Sequence, residues 1–457
     1  MILNVYFLGI GGIGMSALAR YYKNAGAFVA GYDLTPSELT RNLESEGINI
    51  HYQDDPASIP AHITENMKDT LVVYTPAIPA DNKELNWLRE KGYDIIKRSV
   101  ALGRISENHT TLAVAGTHGK TTTSTLLAHI LQHEGPGCTA FLGGISKNYH
   151  SNLLLSDSPF LVAEADEYDR SFLQLHPHSA LITSADADHL DIYGTHQAVK
   201  EAFALFASQI VPGGNLVIKK GVDIPLHVSS HVKRHTYHYQ EPCDFYAMNH
   251  TIGEGGLFTF DLMLMGQKVK GCRLGIPGRI NVENAVGASA LAYLNGISLP
   301  SLKKALESFR GVSRRMDVRY KTQGCCYIDD YAHHPNEIRA AVLSVREWFP
   351  GEKITGIFQP HLYSRTRDFA GMFAQSLDLL DQVVLMPVYP ARELPIPGVS
   401  SEMIEAMLTV KEKYILNASQ ILDFVKKERP RVLLTLGAGN IDRLVEPIVD
   451  CLKELKL

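Results

Sequence analysis

The segment GTHGKTT at 116–122 carries the residue types that bind a nucleoside triphosphate, and it follows an apolar run at 111–115. The lysine can reach the β- and γ-phosphates, and the Thr121 hydroxyl can coordinate Mg²⁺. The strict phosphate-loop pattern has glycine at position 114, where this chain has Val114. The segment therefore predicts a variant ATP-binding loop. The predicted cradle comprises Gly116, Thr117, His118, Gly119, Lys120, Thr121 and Thr122.

A second glycine-rich loop, GIGGIG at 9–14, also follows an apolar run and precedes a helical pattern. Its glycines allow a tight turn and the close approach of backbone N–H groups to a diphosphate. Asp33 lies nineteen residues after Gly14, at the end of the next predicted strand, where an acid can bind a ribose hydroxyl. The pattern favours a dinucleotide, although any diphosphate would satisfy the same donors. A glycine turn without a ligand is the alternative.

Acidic residues follow two apolar runs in the middle of the chain. Glu164 ends the run that starts at Phe160, where a Mg²⁺-binding carboxylate normally lies beside a phosphate loop. The segment SADADHLD at 184–191 follows the next run and contains His189. This histidine is either a ligand of a second metal ion or a hydrogen-bonded loop residue.

Polar clusters in the last third of the chain also follow predicted strands, where α/β proteins gather functional side chains. They read DDYAHHP at 329–335 and HLYSRTR at 361–367. Arg365 or Arg367 could bind a carboxylate through two parallel hydrogen bonds. Arg314 and Arg315 could neutralise a transferring phosphoryl group or lie on the surface, and the sequence leaves both possibilities open.

The elements that position these residues alternate between strands and helices, which predicts an α/β fold with parallel, doubly wound sheets. Short alternating strands between 243 and 273 predict a small antiparallel sheet beside the central one. Domains are predicted at 1–106, 107–311 and 312–457. Strands are predicted at 4–8, 27–32, 70–74, 94–96, 111–115, 160–163, 180–183, 325–328, 353–358, 382–386 and 431–435, and helices at 15–24, 120–133, 197–209 and 281–294.

Composition excludes several classes of function. The 457 residues include 44 Lys plus Arg and 49 Asp plus Glu, a net charge of −5, without the basic excess that nucleic-acid binding requires. The uncharged start is broken by glycines and lacks a basic segment, and no other stretch approaches the roughly 20 apolar residues of a membrane span. Six cysteines without paired spacing are expected to be reduced thiols. We therefore expect a cytoplasmic protein without nucleic-acid or membrane partners.

Eight motifs together resemble those of the Mur ligase family, in the same order and over essentially the whole chain. They are GIGGIGMS at 9–16, GTHGKTTT at 116–123, EADEYD at 164–169, NVEN at 281–284, SRR at 313–315, DDYAHHP at 329–335, QPHLYSRT at 359–366 and GAGN at 437–440. The resemblance implies an N-terminal Rossmann-like domain for a UDP-sugar, a central P-loop ATPase domain and a C-terminal Rossmann-like domain. It also implies ATP and Mg²⁺ as cofactors.

Within the family, the motifs are most similar to those of members that join L-alanine to the lactyl carboxylate of UDP-N-acetylmuramate through an acyl phosphate. The resemblance implies catalytic roles for Lys120, Glu164, His189, Arg314 and His334. It implies Mg²⁺ ligation by Thr121, Glu164 and His189, and further ATP contacts from Asn281, Asn284, Arg314 and Asp330. Substrate contacts are implied for Gly11, Gly12, Ile13, Gly14, Met15, Ser16, Asp33, Thr75, His334, His361 and Arg365.

The chain departs from the usual family pattern at Gln53, Asp54, Ser184, Asp186, Ile280 and Leu362. Three other functions remain open at this stage. A murein-peptide-recycling ligase would join a tripeptide to the same UDP-sugar. A dehydrogenase would use NAD at the first loop but leaves the Lys120 loop unexplained. A nucleotide-gated switch protein would bind ATP without sugar-dependent turnover. The sequence leaves open whether the protein is a monomer or a dimer, and whether it prefers alanine to glycine or serine.

Overall fold

The computed structural model describes residues 3–391 and 393–457, with the side chain of Asp191 outside the description. The described strands form sheets of five, ten and six strands. Every strand and helix predicted above is present, with ends that agree within two residues. Buried parallel strands are continuous apolar runs, which is why they can be located in a sequence.

The first sheet is parallel and has the strand order β3-β2-β1-β4-β5. The strand order reverses beside β1, so the loops after β1 and β4 open a crevice at the carboxyl edge, where sheets of this kind bind ligands. Its strands are β1 Asn4–Leu8, β2 Phe28–Tyr32, β3 Asn49–His51, β4 Thr70–Tyr74 and β5 Asp94–Lys97. The helices of this part are α1 Ile13–Asn24, α2 Glu38–Ser45, α3 Ala61–Thr64, α4 Lys83–Lys91 and α5 Arg98–Ser106.

The second sheet has the strand order β15-β14-β13-β12-β11-β10-β6-β9-β7-β8. Its strands are β6 Thr110–Ala115, β7 Thr139–Ser146, β8 Ser151–Leu154, β9 Phe160–Ala165, β10 Ser179–Ile182, β11 Asn215–Lys219, β12 Lys233–His238, β13 Phe245–Ile252, β14 Leu257–Leu264 and β15 Gln267–Pro277. The accompanying helices are α6 Lys120–Glu134, α7 Leu190–Tyr193, α8 His196–Ser208, α9 Arg279–Leu294 and α10 Leu299–Ser308.

The strands from β6 to β12 position the phosphate loop. β6 lies between β9 and β10 and is parallel to both, so their carboxyl ends meet at one edge. The strands β13 to β15, predicted as a separate small sheet, continue the ten-stranded sheet through a short parallel pairing of β12 with β13.

The third sheet has the strand order β16-β17-β21-β18-β19-β20 and is mixed, because β16 is antiparallel to β17. Its strands are β16 Asp317–Lys321, β17 Cys326–Asp330, β18 Ile354–Phe358, β19 Gln382–Leu385, β20 Glu412–Ile415 and β21 Val432–Leu436. Its helices are α11 Pro335–Trp348, α12 Tyr363–Leu377, α13 Ser401–Glu405, α14 Ala418–Glu428 and α15 Val445–Glu454.

The chain divides into two compact units. The first comprises Met1–Met248, Asp261–Cys272 and Asn284–Arg310, and the second comprises Asn249–Phe260, Arg273–Glu283 and Gly311–Leu457. The bounds predicted for the three domains stay a prediction. None of the described helices combines the length and the apolar character that a membrane crossing requires. All six cysteines are free thiols.

Candidate active site

The phosphate loop connects β6 to α6 and lies tightly against its neighbours. Gly116 has φ +139° and Gly119 has φ +79°, a region that residues with side chains rarely adopt. A Cβ atom at Gly116 would overlap Thr183 Oγ1, and one at Gly119 would lie 2.9 Å from Asn284 Oδ1. No side chain caps the start of α6. The helix therefore presents its first N–H groups to the loop, an arrangement that suits phosphate.

Two residues that depart from the family pattern support this loop from the end of β10. The Ser184 hydroxyl lies 2.9 Å from Thr117 Oγ1 and accepts a hydrogen bond of 2.9 Å from the His118 N–H group. Asp186 donates its N–H group to Thr117 Oγ1 at 3.1 Å, and its carboxylate lies 3.2 Å from His118 Nε2. Both residues therefore make polar contacts with the loop.

Lys120, the first residue of α6, is partly buried between a carbonyl and a carboxylate. Its Nζ atom donates to the Gly116 carbonyl at 2.7 Å and lies 2.7 Å from Glu167 Oε2. Burial lowers the pKa of Lys120, but the negative charges of Glu167, Asp166 and Glu164 outweigh burial and hold it above its ordinary value. The lysine is therefore a permanent cation at the phosphate loop.

Thr121 and Glu164 supply oxygen atoms beside the same loop. Thr121 donates its hydroxyl to Glu164 Oε1 at 3.1 Å, and the Gly143 N–H group donates to Glu164 Oε2 at 3.1 Å. A hydroxyl and a carboxylate are the hard oxygen ligands that Mg²⁺ prefers, so these residues fit a magnesium ion bound with nucleotide phosphates.

His189 lies near Glu167, the carboxylate that pairs with Lys120. Its Nε2 atom is 3.8 Å from Glu167 Oε1 and 3.8 Å from Asp188 Oδ2. Within the described residues, no three His, Cys, Asp or Glu side chains form a ready metal site. The side chain of Asp191, the last acid of this segment, lies outside the described part. The metal role of His189 stays a prediction.

The first glycine loop connects β1 to α1, and an acid holds it in place. Asp33 Oδ2 accepts a hydrogen bond of 2.7 Å from the Gly11 N–H group. Asn152 donates from Nδ2 to the Ser16 hydroxyl at 2.9 Å and to the Ile13 carbonyl at 2.5 Å. Asp33 therefore supports the loop backbone in this structure, and its predicted substrate contact stays a prediction.

A cavity of about 270 Å³ joins this first loop to Glu164. One wall comes from the start of α1 and from the loop after β4, including Thr75, and the other comes from β7 and from Glu164, Asp166 and Tyr168. The residues from the first loop that line it are Gly12, Ile13, Gly14 and Met15. A ligand that enters this cavity can contact the first glycine loop and Glu164 at once.

Two predicted residues of the second unit, Arg314 just before β16 and Asp330 at the end of β17, are engaged within that unit. Arg314 Nε lies 3.0 Å from Asp329 Oδ2, and Arg314 Nη2 donates to the Gly437 carbonyl at 2.7 Å. Asp330 accepts the N–H groups of Met316 and Ala332 at 2.7 and 2.8 Å. Burial raises the pKa of Asp330 to about 6, although nearby Arg315 and these two N–H groups lower it.

The histidines and Arg365 lie near the carboxyl ends of β17 and β18. His334 caps the start of α11 and packs at 5.2 Å, between ring centres, against Phe369. His361 stacks on Tyr389 at 5.8 Å and lies 6.0 Å from the ring of His333. Arg365 is buried in the first turn of α12.

The two predicted adenine contacts have different neighbours. Asn284 lies against Gly119 of the phosphate loop, while Asn281 donates from Nδ2 to the Pro277 carbonyl at 2.7 Å. Both predicted contacts stay predictions.

Sequence reasoning missed two charged residues of this site. Glu167 is the last acid of the segment EADE at 164–167, but nothing in the sequence indicated that it pairs with Lys120. Arg98 starts α5 directly after β5 and lines the cavity. Its position at the carboxyl end of a parallel strand was the available signal.

A phosphate loop at the end of a central parallel strand, with a partly buried lysine and a carboxylate beside the following threonine, defines a P-loop nucleotide-binding protein. Comparison with models of protein families shows to which family of such proteins the chain belongs. The Mur ligase family catalytic domain matches residues 4–110, the Mur ligase middle domain matches 114–292, and the glutamate ligase domain of Mur ligases matches 314–439. The chain belongs to the Mur ligase family.

Individual relatives match over almost the full chain. A UDP-N-acetylmuramate–L-alanine ligase of Parabacteroides distasonis is 52% identical over 98% of this chain and 97% of its own. The crystal structure of the corresponding Thermotoga maritima ligase has a TM-score of 0.82 at 30% identity, covering 99% of both chains. A murein peptide ligase from Psychrobacter arcticus shares the fold, with a TM-score of 0.69 at 21% identity over 98% of both chains.

Proposed function

We propose that the protein is an ATP-dependent ligase that joins L-alanine to the lactyl carboxylate of UDP-N-acetylmuramate, a step in peptidoglycan precursor synthesis. The observation that carries the proposal is the single cavity shared by the first glycine loop and Glu164. A UDP-sugar whose diphosphate lies at the loop would extend its carboxylate towards the phosphate-loop side. Relatives named for this reaction match over 98% of the chain, which supports the same substrates.

The chemistry requires activation, because a carboxylate oxygen is a poor leaving group. A carboxylate oxygen attacks the γ-phosphorus of ATP, and ADP leaves with the electrons of the broken P–O bond. The amine of L-alanine then attacks the carbonyl carbon of the acyl phosphate. The nitrogen loses its proton and phosphate departs, which leaves the amide. Each step is limited by alignment and charge, and these are what a folded site supplies.

The residues of the phosphate loop take defined parts in this scheme. Lys120 would leave its ion pair with Glu167, bind the β- and γ-phosphates and neutralise the charge that develops on them. Thr121 and Glu164 would hold Mg²⁺, which supplies further charge neutralisation at the phosphates when bound. Glu167 would hold Lys120 in position until the phosphates enter.

The remaining predicted residues complete the proposal. Arg314, Asp330, Asn281 and Asn284 are assigned to the nucleotide, and His189 to a second metal ion. On the acceptor side, His334, His361 and Arg365 are assigned to L-alanine, whose carboxylate suits a guanidinium. The free thiols of all six cysteines support a cytoplasmic location.

The proposal is tested by measuring ADP release with ATP, Mg²⁺, UDP-N-acetylmuramate and L-alanine, omitting each in turn. We expect turnover only in the complete mixture. Turnover that does not depend on the sugar nucleotide contradicts the ligase function. Replacing L-alanine with the murein tripeptide tests the acceptor, and faster turnover with the tripeptide would assign the chain to peptide recycling.

A further inference from the structure

Arg98 is a cationic residue on the wall of the cavity that joins the first glycine loop to Glu164. It is the first residue of α5, directly after β5, at the carboxyl edge of the five-stranded sheet. Its side chain is 21% exposed, so its charge is largely removed from solvent but reaches the cavity. An arginine in this position can form two parallel hydrogen bonds with a phosphate group.

The guanidinium lies directly against the first glycine loop. A Cβ atom at Gly14 would be 2.8 Å from Arg98 Nη1 and 3.1 Å from Arg98 Cδ. A side chain at position 14 would therefore require the side chain of Arg98 to move. The contact places a positive charge beside the first turn of α1, where the partial positive charge of the helix end already lies.

Asp166 is the single hydrogen-bond partner of this guanidinium within the described residues, with Nη2 to Oδ2 at 3.4 Å. That distance is long for a charged hydrogen bond, and a guanidinium has five N–H donors. Arg98 therefore retains donors on the side of the cavity. Asp166 also accepts the Tyr168 N–H group at 3.1 Å through its other oxygen, so the acid is fixed independently of Arg98.

We propose that Arg98 binds the diphosphate of the sugar nucleotide, and that Asp166 holds the guanidinium in place until the diphosphate displaces it. The inference rests on the proposed function, because it takes the UDP-sugar as the ligand of the cavity. It makes Asp166 a competitor of the substrate. Binding at the first loop then frees a carboxylate two residues from Glu164, on the side of the phosphate loop.

If the Arg98–Asp166 ion pair had a purely structural role, the Asp166 variant would have the opposite effect on substrate binding. If Arg98 and Asp166 only fastened β5–α5 to the acidic segment, breaking the pair from either side would weaken substrate binding equally. The neighbouring pair offers a matched control, because Lys97 Nζ lies 2.8 Å from Asp169 and fastens the same two segments. Lys97 is 44% exposed and does not line the cavity.

The experiment measures UDP-N-acetylmuramate binding by calorimetry without ATP, so that no turnover occurs. Arg98→Ala is expected to weaken binding by about 10- to 100-fold, the effect of losing a charged hydrogen bond. Arg98→Lys should recover part of the loss. Asp166→Asn, which keeps the oxygen that accepts from Tyr168, should tighten binding severalfold. Lys97→Ala should change it by less than about twofold, as expected for an exposed ion pair.

A double variant separates competition from a general change of charge. If Asp166 acts through Arg98, the tightening caused by Asp166→Asn disappears in the Arg98→Ala background. UDP-N-acetylglucosamine, which has the diphosphate but no lactyl carboxylate, identifies the group that is bound. An equal loss for both UDP-sugars in Arg98→Ala supports the diphosphate, and a loss confined to UDP-N-acetylmuramate overturns this assignment.

Three further outcomes overturn the inference: unchanged binding in Arg98→Ala, weaker binding in Asp166→Asn, or an Asp166→Asn effect that persists without Arg98. Circular dichroism and the unfolding temperature of each variant establish that it is folded. Failure of the wild-type protein to bind UDP-N-acetylmuramate and to release ADP in the complete mixture would contradict the proposed function instead.

Discussion

Lys120 Nζ lies 2.7 Å from Glu167 Oε2, so the lysine of the phosphate loop is paired with a buried carboxylate that follows a different strand. Glu167 is 1% exposed, and the Tyr193 hydroxyl donates to its carbonyl at 2.7 Å. The pair therefore connects the start of α6 to the segment after β9. Phosphates that bind Lys120 would compete with Glu167 for the ammonium, and this competition would couple the loop to the acids that follow β9.

Glu167→Gln should lower stability and increase the response to nucleotide. The partly buried ammonium of Lys120 would lose the negative charge of Glu167, at a cost of about 2 kcal/mol. The phosphates of ADP would then supply the missing negative charge. We therefore expect a lower unfolding temperature, and a larger rise on adding ADP than in the wild-type protein. Thermal unfolding with and without ADP measures both. Glu201→Gln, at an exposed position of α8, is the control, and equal ADP shifts in all three proteins would contradict the prediction.

Lys120→Ala should separate the functions of the two loops. The variant lacks the cation that neutralises the transferring phosphoryl group, so turnover should fall by about 10²- to 10³-fold or more. UDP-N-acetylmuramate binding should stay within about threefold, because the first loop lies on other elements. Turnover assays and calorimetry measure the two effects, and an equal loss of both would show that the loops do not act separately.

Gly116→Ala should abolish nucleotide binding, because its Cβ would overlap Thr183 Oγ1 as well as require φ +139°. Gly221→Ala is the matched control. Gly221 has φ +91° but no atom within 4 Å of the added Cβ, so this variant isolates the cost of the backbone conformation, about 1 kcal/mol. Calorimetry with ADP and unfolding temperatures compare the two. Retained ADP affinity in Gly116→Ala would show that the loop can move away from β10.

A buried acid in the first sheet should make stability depend on pH. Burial raises the pKa of Glu84 from 4.5 to about 7, against the hydrogen bond from Tyr6 that lowers it. Because the folded-state pKa lies above the unfolded value, the folded protein binds the proton more tightly. The contribution of Glu84 is therefore fully favourable below about pH 4.5 and is lost as the pH rises through 7.

The comparison with Glu84→Gln tests this sign. The amide stays neutral at every pH, so the unfolding temperature of the variant relative to wild type should rise between pH 5 and pH 8. Glu90→Gln changes an exposed acid of the same helix, α4, and should show a flat difference. A difference for Glu84→Gln that stays constant across this range would mean that Glu84 does not titrate there.

Much of the fold follows from local pattern. The strands β1, β6 and β9 are mostly apolar because both faces of a parallel sheet are buried, and each is followed by a glycine loop or an acid. Helices α2, α4 and α5 are among those for which no bounds were predicted, and at eight or nine residues each gives only a weak periodic signal.

The sequence by itself was sufficient to locate the two glycine loops, Lys120 and Glu164, and to indicate the family. These features are encoded by residues next to one another in the chain, so local spacing is sufficient to find them. Only the tertiary structure decided that Lys120 pairs with Glu167 and that Arg98 lies on Gly14. Such contacts depend on which strands are neighbours in a sheet and on how the sheets pack, and residues distant in sequence meet only after the chain has folded.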